Sequence, residues 1–374
     1  MLYQLTLYIF LAAFIIQMMY WLFLFSKLAF YKNEKKQKNS SKKETFPVSV
    51  IICARNESEN LKKNLDRILS QNYHSFEVLV VNDDSSDSTD NILLNFNIKY
   101  PILRHISLKN KPKGSGKKFA LAHGIKAAKH EILLLTDADC VPNSNNWITE
   151  MLSHLDEQTD IILGYGPHIK AKGILNKWIR YETLTTATQY FSFALAGMPY
   201  MGVGRNLMYR KVLFQKAGGF NDHDHLLSGD DDLFINKVAT SKNTRIVLTP
   251  ESFMYSEGKQ SWKAYYRQKA RHLTTGKHYH FKHQILLGMY TLSHFLYYIG
   301  GFVLLILNFS TIFVVVLLIY LVRISIIILW YRATFKKLQD MDLIYWVPFF
   351  DLALLLYYLA FSPVLMTGNT NRWK

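Results

Sequence analysis

Acidic residues are scarce in this 374-residue chain: 28 Asp and Glu stand against 44 Lys and Arg, a formal charge of +16, and charged residues of both signs make up only 19%. Soluble proteins carry roughly 25%, so the composition argues against an ordinary soluble protein. Cysteine is scarcer still. Cys53 and Cys140 stand alone in apolar, strand-like runs with no CxxC pair, so neither a zinc nor a redox centre is indicated and both are expected as reduced core residues. Aromatics are plentiful, with 24 Phe, 23 Tyr and 7 Trp, which excludes a disordered basic tail. The length suggests roughly two domains.

Long apolar runs gather at the two ends. Leu2 to Phe30 has Lys27 as its sole charge and is long enough to cross a ~30 Å hydrocarbon core. It lacks the basic start, short apolar stretch and small-residue cleavage site of a secretory signal, and is expected to stay as an anchor. At the other end, Ile285–Leu307, Thr311–Tyr331 and Leu343–Met366 are three further candidate spans. The second contains Arg323, and the third contains Pro348, Asp351 and Pro363, so the third is expected either to cross or to re-enter or lie in the interface. Ionisable groups in a span usually pair or face a cavity, which names Arg323 and Asp351 as partners. The expected organisation is an anchor over 1–30, a polybasic linker over 31–46, a folded domain over 47–282 and a membrane region over 283–374.

Lysines flank the spans. Lys32, Lys35, Lys36, Lys38, Lys42 and Lys43 follow Leu2–Phe30, Lys277 and Lys282 precede Ile285–Leu307, and Arg332, Lys336 and Lys337 follow Thr311–Tyr331. The positive-inside rule then places Lys32 to Lys282 in the cytoplasm of a multi-pass cell (inner) membrane protein. The linker lysines read as facing anionic membrane lipids, each contributing about 1 kcal/mol of attraction. A nucleic-acid partner is not required to explain them. His278, His280 and His283 are expected beside the membrane surface.

Between Pro47 and Pro250, short apolar runs alternate with amphipathic stretches. Val48–Ala54, Phe76–Val81 and Ile132–Leu135 have strand length, and Leu61, Leu65, Ile68 and Leu69 fall at helical spacing between the first two, with Asn56 or Ser58 available as a cap. Runs apolar on both faces indicate a mainly parallel sheet covered by helices, an α/β fold. Such sheets bind ligands at the carboxyl ends of their strands. Polar clusters sit there: Arg55-Asn56-Glu57, then Asn82 to Thr89, then Thr136-Asp137-Ala138-Asp139. Carboxylates at i and i+2, Asp137 and Asp139, suit a hard divalent cation that also takes phosphate oxygens.

The loop Lys111–Lys118 is not a P-loop. Lys111 stands five before Gly116 where that motif has glycine, and Lys118 replaces its Ser or Thr. Lys117 at the start of a helix over Phe119 to Lys129 remains suited to approach a diphosphate. A glycine-rich turn, Gly202-Val203-Gly204-Arg205-Asn206, precedes an apolar strand. Asp230-Asp231-Asp232 opens an amphipathic run; three adjacent acids repel one another, which raises the proton affinity a general base requires. Asp222-His223-Asp224-His225 reads as a loop at the rim of the site.

The ordered series VSVIICARNE, VNDDSSDST, GKKFALAHGI, LLLTDADC, GVGRNLMYRK, AGGF, SGDDDLF and QKARH resembles a membrane-bound family 2 glycosyltransferase over about Val48 to His272. The resemblance implies a Rossmann-like GT-A domain flanked by transmembrane helices and inverting sugar transfer from a nucleotide-sugar donor to a lipid-linked or glycan acceptor. By position it implies that Asp83 contacts the nucleotide base and that Asp137 and Asp139 hold Mg²⁺ or Mn²⁺, with Asp139 favoured as the direct ligand. It gives Asp231 the role of base, with Asp230 second, and places Gln268, Arg271 and His272 at the family's Q-x-x-R-W. Glu57 and Lys117 complete the expected substrate-binding set. Asn82 and Asp84 depart from the family's usual acid and glycine. His272 stands where processive synthases carry Trp, which argues against a polymerase. The alternatives are such a synthase or a non-catalytic nucleotide-sugar-binding membrane protein.

Overall fold

The computed structural model describes residues 1–32, 46–109, 116–224, 226 and 228–367. Most of the polybasic linker, the glycine-lysine loop up to Ser115, His225, and Arg372 and Lys374 lie outside the described residues.

Among the described residues there are nine strands: β1 (Val48–Ala54), β2 (Phe76–Asn82), β3 (Leu103–Ser107), β4 (Ile132–Asp137), β5 (Cys140–Pro142), β6 (Ile161–Leu163), β7 (Leu207–Arg210), β8 (Thr244–Ile246) and β9 (Met254–Ser256). Seven form one sheet in the order β3-β2-β1-β4-β7-β6-β8. β3, β2, β1 and β4 run parallel; β7 is antiparallel to both of its neighbours, and β6 pairs parallel with β8. The sheet is therefore mainly parallel, as the apolar runs imply. β3 escapes a reading by apolar runs because only Leu103 of its five residues is buried.

Alternation along β1 explains its two-sided burial. Val48, Val50 and Ile52 pack with Leu61, Leu65 and Ile68 of α2 (Ser58–Leu69). Ile51 faces the other way, toward Leu121 and Ile125 of α4 (Lys117–Ala127), with α3 (Thr89–Lys99) between these helices in sequence. Each such side chain contributes roughly 1.5–3 kcal/mol. The expected side-chain cap of α2 is not found: Glu57 occupies that position without a side-chain bond. Asn56 takes φ 54° and Ser58 begins the helix, because their loop is tied to the one after β2 instead.

The remaining helices are α5 (Trp147–Met151), α6 (Ile174–Leu195), α7 (Lys211–Lys216), α8 (Asp232–Val238), α9 (Trp262–Leu273), α10 (Phe281–Ser310), α11 (Ile312–Lys337) and α12 (Val347–Thr367). With α1 (Leu2–Phe30), α10, α11 and the stretch Met341–Val364 are long and apolar enough to cross a membrane. Asn308, at φ −159° and ψ 67°, breaks the backbone between α10 and α11. Arg323 and Asp351, the ionisable residues named as partners, meet. Arg323 pairs with Asp351, also bonding Gln17 Oε1 at 3.0 Å and His294 Nδ1 at 3.2 Å; Tyr298 donates to Asp351 at 2.5 Å. One cluster thus ties α1, α10, α11 and α12.

α12 also packs lengthwise beneath the sheet domain. Phe350 and Tyr357, two turns apart, meet Trp178 of α6 at 5.5 and 5.9 Å, and Phe361 stacks on Tyr266 of α9 at 4.7 Å. Arg180 of α6 completes the join, reaching Asp340 and Asp342 in the turn before α12 at 2.5 and 2.6 Å.

Candidate active site

Parallel pairing explains why the acidic clusters converge. Ala54 at the end of β1 is level with Asn82 of β2, and Cys53 with Asp137 of β4, so the three loops open onto one crevice. The first two loops are stitched together. Ser86 N–H donates to Asn56 Oδ1 at 2.8 Å, Asn56 N–H to Ser85 Oγ at 2.9 Å, and Ser58 and Thr89 N–H both donate to Asp87. Burial opposes the Asp87 charge, yet these bonds together hold its carboxyl at about 2. Asn82 in place of an acid also has a local cause: its amide donates to Asp90 Oδ1 at 2.5 Å while its carbonyl accepts from Ser85 N–H. An aspartate there would face Asp90 with like charge. The loop leaves Asp83 buried and lining the crevice.

Across the crevice, the acidic trio is built by a glycine. Gly204 N–H donates to Asp231 Oδ2 at 2.7 Å, and a Cβ at Gly204 would stand only 3.2 Å from that oxygen. Asp231 Oδ1 caps α8 by accepting from Asp232 N–H at 2.8 Å. Asp232 turns away and accepts from Thr275 and from Tyr279 at 2.7 Å. Asp230 points to Lys117, whose Nζ lies 3.0 Å from it and 2.8 Å from Asp137. The lysine bridges the two walls.

The four carboxylates therefore differ electrically. Burial opposes charge on Asp137, but Lys117 overrides this and holds its carboxyl below the usual range. Asp139, buried and facing Asp137 and Glu57, is pushed up. Burial first, then the neighbouring Asp230 and Asp232, push Asp231 up to about 7. Asp232 is raised by burial despite its hydroxyl donors. Lys117 stays firmly protonated because Asp137, Asp230 and Asp231 outweigh its burial. Near them, His272 is open to the cavity, and its place in the crevice together with Lys269 and Arg271 lowers its imidazole. Arg271, lowered by burial, remains a cation facing Asp230, Asp137 and Asp231.

All ten residues singled out from the sequence, Glu57, Asp83, Lys117, Asp137, Asp139, Asp230, Asp231, Gln268, Arg271 and His272, line a single cavity of about 1010 Å³. The rim loop is more buried than expected: His223 bonds Gly229 O at 2.9 Å. His283 likewise is no surface histidine, being buried against Tyr200 and bonded to Asn236. Cys140 is buried but sits at the site, its thiol 3.5 Å from Asp139 Oδ1. Ligand atoms of Asp137, Asp139 and Cys140 lie within 4.8 Å of one another. Reading the sequence also missed Arg205, which enters the cavity and bonds Ser256 Oγ at 2.8 Å and His168 at 3.2 Å. Its glycine-rich turn was a visible signal, but the direction of its side chain was not.

A sheet of this order, with acids at three parallel strand ends, defines a GT-A domain. Residues 49–218 match Glycosyl transferase family 2, and the chain carries a domain of that family. It is 28% identical over 253 residues to the probable glycosyltransferase YdaM of Bacillus subtilis, covering 65% of this chain and 58% of that one. It is 30% identical over 191 residues to the glycosyltransferase AglE of Haloferax volcanii, covering 50% of this chain and 60% of that one. The chain thus spans less than two thirds of either relative. The solved mannosyltransferase PcManGT from Pyrobaculum calidifontis, in complex with GDP-Man and Mn²⁺, shares the fold with a TM-score of 0.61 at 18% identity, over 94% of this chain and 99% of that one.

Proposed function

We propose that this protein is a membrane-bound inverting glycosyltransferase that moves a sugar from a nucleoside diphosphate donor to an acceptor hydroxyl in cell-envelope glycan or glycolipid synthesis. One observation carries the reading: the carboxylate pair Asp137 and Asp139 and the carboxylate Asp231 face one cavity from opposite walls, joined by Lys117. The pair fits a divalent cation, Mg²⁺ or Mn²⁺. Its donors are carboxylates, and Asp139 carries a charge its neighbours disfavour, which a cation there would relieve. Such an ion supplies electrostatic stabilisation of charge on the diphosphate.

The remaining steps belong to side chains. Asp83 and Glu57 border the position of the nucleotide, and Asp83 meets its base. Lys117 and Arg271 present fixed positive charge to the diphosphate as the bond from the anomeric carbon to its oxygen breaks. Asp231 takes the proton of the acceptor hydroxyl while that oxygen forms its bond to the anomeric carbon from the opposite side, giving inversion. A carboxylate poised at about 7 is matched to this work. Asp230, already paired with Lys117, is the poorer base. Gln268 and His272 flank the acceptor.

Lysines beside the spans support a cytoplasmic domain at the inner membrane, and the lengthwise contacts of α12 with α6 and α9 support its lying along the interface. Purified protein should release nucleoside diphosphate from one member of a nucleotide-sugar panel only when Mg²⁺ or Mn²⁺ is added. Absence of turnover with every donor and both metals would leave a non-catalytic binding protein as the better reading. Product length on a defined acceptor separates single transfer from processive synthesis, and His272 in place of Trp favours single transfer.

A further inference from the structure

The cavity does not end at the catalytic residues. It continues along one face of α10, lined at helical spacing by Gln284, Leu287, Gly288, Thr291, Leu292 and Phe295, over about 16 Å of helix at 1.5 Å per residue. Tyr357, Tyr358 and Leu359 of α12 supply the opposite wall. Two of the lining residues are largely uncovered: Leu292 is 57% exposed and Leu359 46%. An apolar side chain that lines a cavity and lies uncovered on a membrane helix marks an opening toward hydrocarbon. At its far end the lining stops at Phe295, beside His294, whose ring meets Tyr358 at 6.0 Å and whose Nε2 contacts the Asp351 carbonyl at 3.0 Å. The buried Arg323–Asp351 cluster lies behind them.

We infer that this gap is a lateral portal for the tail of a lipid-borne acceptor, with its head at Asp231 and its chain passing between α10 and α12 past Gly288. The inference rests on the transfer reading above and adds the acceptor class. Continuity of an apolar gap with a catalytic crevice requires an occupant apolar at one end and reactive at the other. The head is a neutral hydroxyl group, as on a glycolipid, and not a lipid phosphate. The acceptor end presents Asp231, whose work is to take a proton, and a phosphate needs no base to deprotonate it.

Gly288 gives a test, since a Cβ there meets no atom within 4 Å. With the active donor and alkyl glycosides from methyl to dodecyl, the wild-type kcat/KM should rise at least about tenfold with chain length, as burial of methylene groups allows. Gly288→Phe should cut the dodecyl-to-methyl ratio by about tenfold, whereas Gly288→Ala keeps it; reading a ratio within one preparation removes losses of folded protein. A wild-type ratio near one, or a ratio that Gly288→Phe does not change, overturns the portal while leaving the transfer reading standing. Faster transfer to a polyprenyl phosphate than to dodecyl glycoside overturns the hydroxyl head. Failure with every donor and acceptor overturns both readings.

Discussion

Two of the buried ionic clusters among the described residues are balanced differently. In the membrane region, the cation Arg323 meets the anion Asp351, and Gln17, His294 and Tyr298 complete their hydrogen bonds. In the crevice, Asp137, Asp139, Asp230, Asp231 and Asp232 face Lys117, Arg205 and Arg271, five acids against three cations, leaving negative charge in excess. A compensated cluster holds helices together; an uncompensated one is ready for a cation and a proton. The contrast shows how the same residue types serve architecture in one place and chemistry in another.

Breaking the crevice at its metal side should have the largest effect. Asp139→Ala is expected to lower transfer by about 10³-fold, roughly 4 kcal/mol, and to abolish Mn²⁺ binding measured by titration calorimetry. Unaltered Mn²⁺ affinity would move the metal site elsewhere. In the membrane cluster, Asp351→Asn leaves Arg323 unpaired and should destabilise the protein by about 3–5 kcal/mol, whereas the double variant Arg323→Met with Asp351→Leu should recover most of that loss. Thermal unfolding in detergent reads both, and equal losses in the single and double variants would contradict a merely architectural role.

The crevice makes the opposite stability prediction. Asp231 binds its proton more tightly in the folded chain, with a value raised from 3.8 to about 7. Between those values the native state holds more protons than the unfolded one, so this group's contribution to stability falls as pH rises through the window. Asp231→Asn removes that cost and should stabilise the protein by about 1–3 kcal/mol at pH 8, with little gain at pH 4. A lower melting temperature at pH 8 would show that the carboxylate is compensated after all.

How much of this was legible in the sequence depended on what each feature requires. β1, β2 and β4 show as continuous apolar runs because both faces are covered, and their polar ends mark the crevice. β3, half-exposed at the sheet edge, leaves no such run. The ten site residues come from strand ends, helix starts and the last turns of α9, whose order carries the family resemblance, so they could be named before they were placed. Their electrical differences could not, because these arise from contacts distant in sequence: Lys117 with Asp137 and Asp230, and Gly204 with Asp231. Arg205 and the buried His283 depend on side-chain direction alone. The pairing of Arg323 with Asp351 was legible as cost, since neither charge survives alone in hydrocarbon. Its partners on α1 and α10 were not, being ordinary Gln, His and Tyr in apolar runs.

The central claim is that the excess charge of the crevice gives Asp231 its role as base. It is tested most directly by the pH dependence of kcat for sugar transfer in the wild type and in Asp231→Asn, with donor and Mn²⁺ saturating. The expected wild-type rate rises with pH and levels off above about 7, as Asp231 loses its proton, and the variant is slower by at least ~10²-fold without that inflection. A variant that keeps both the wild-type rate and its inflection would show that another group, Asp230 first among them, takes the proton.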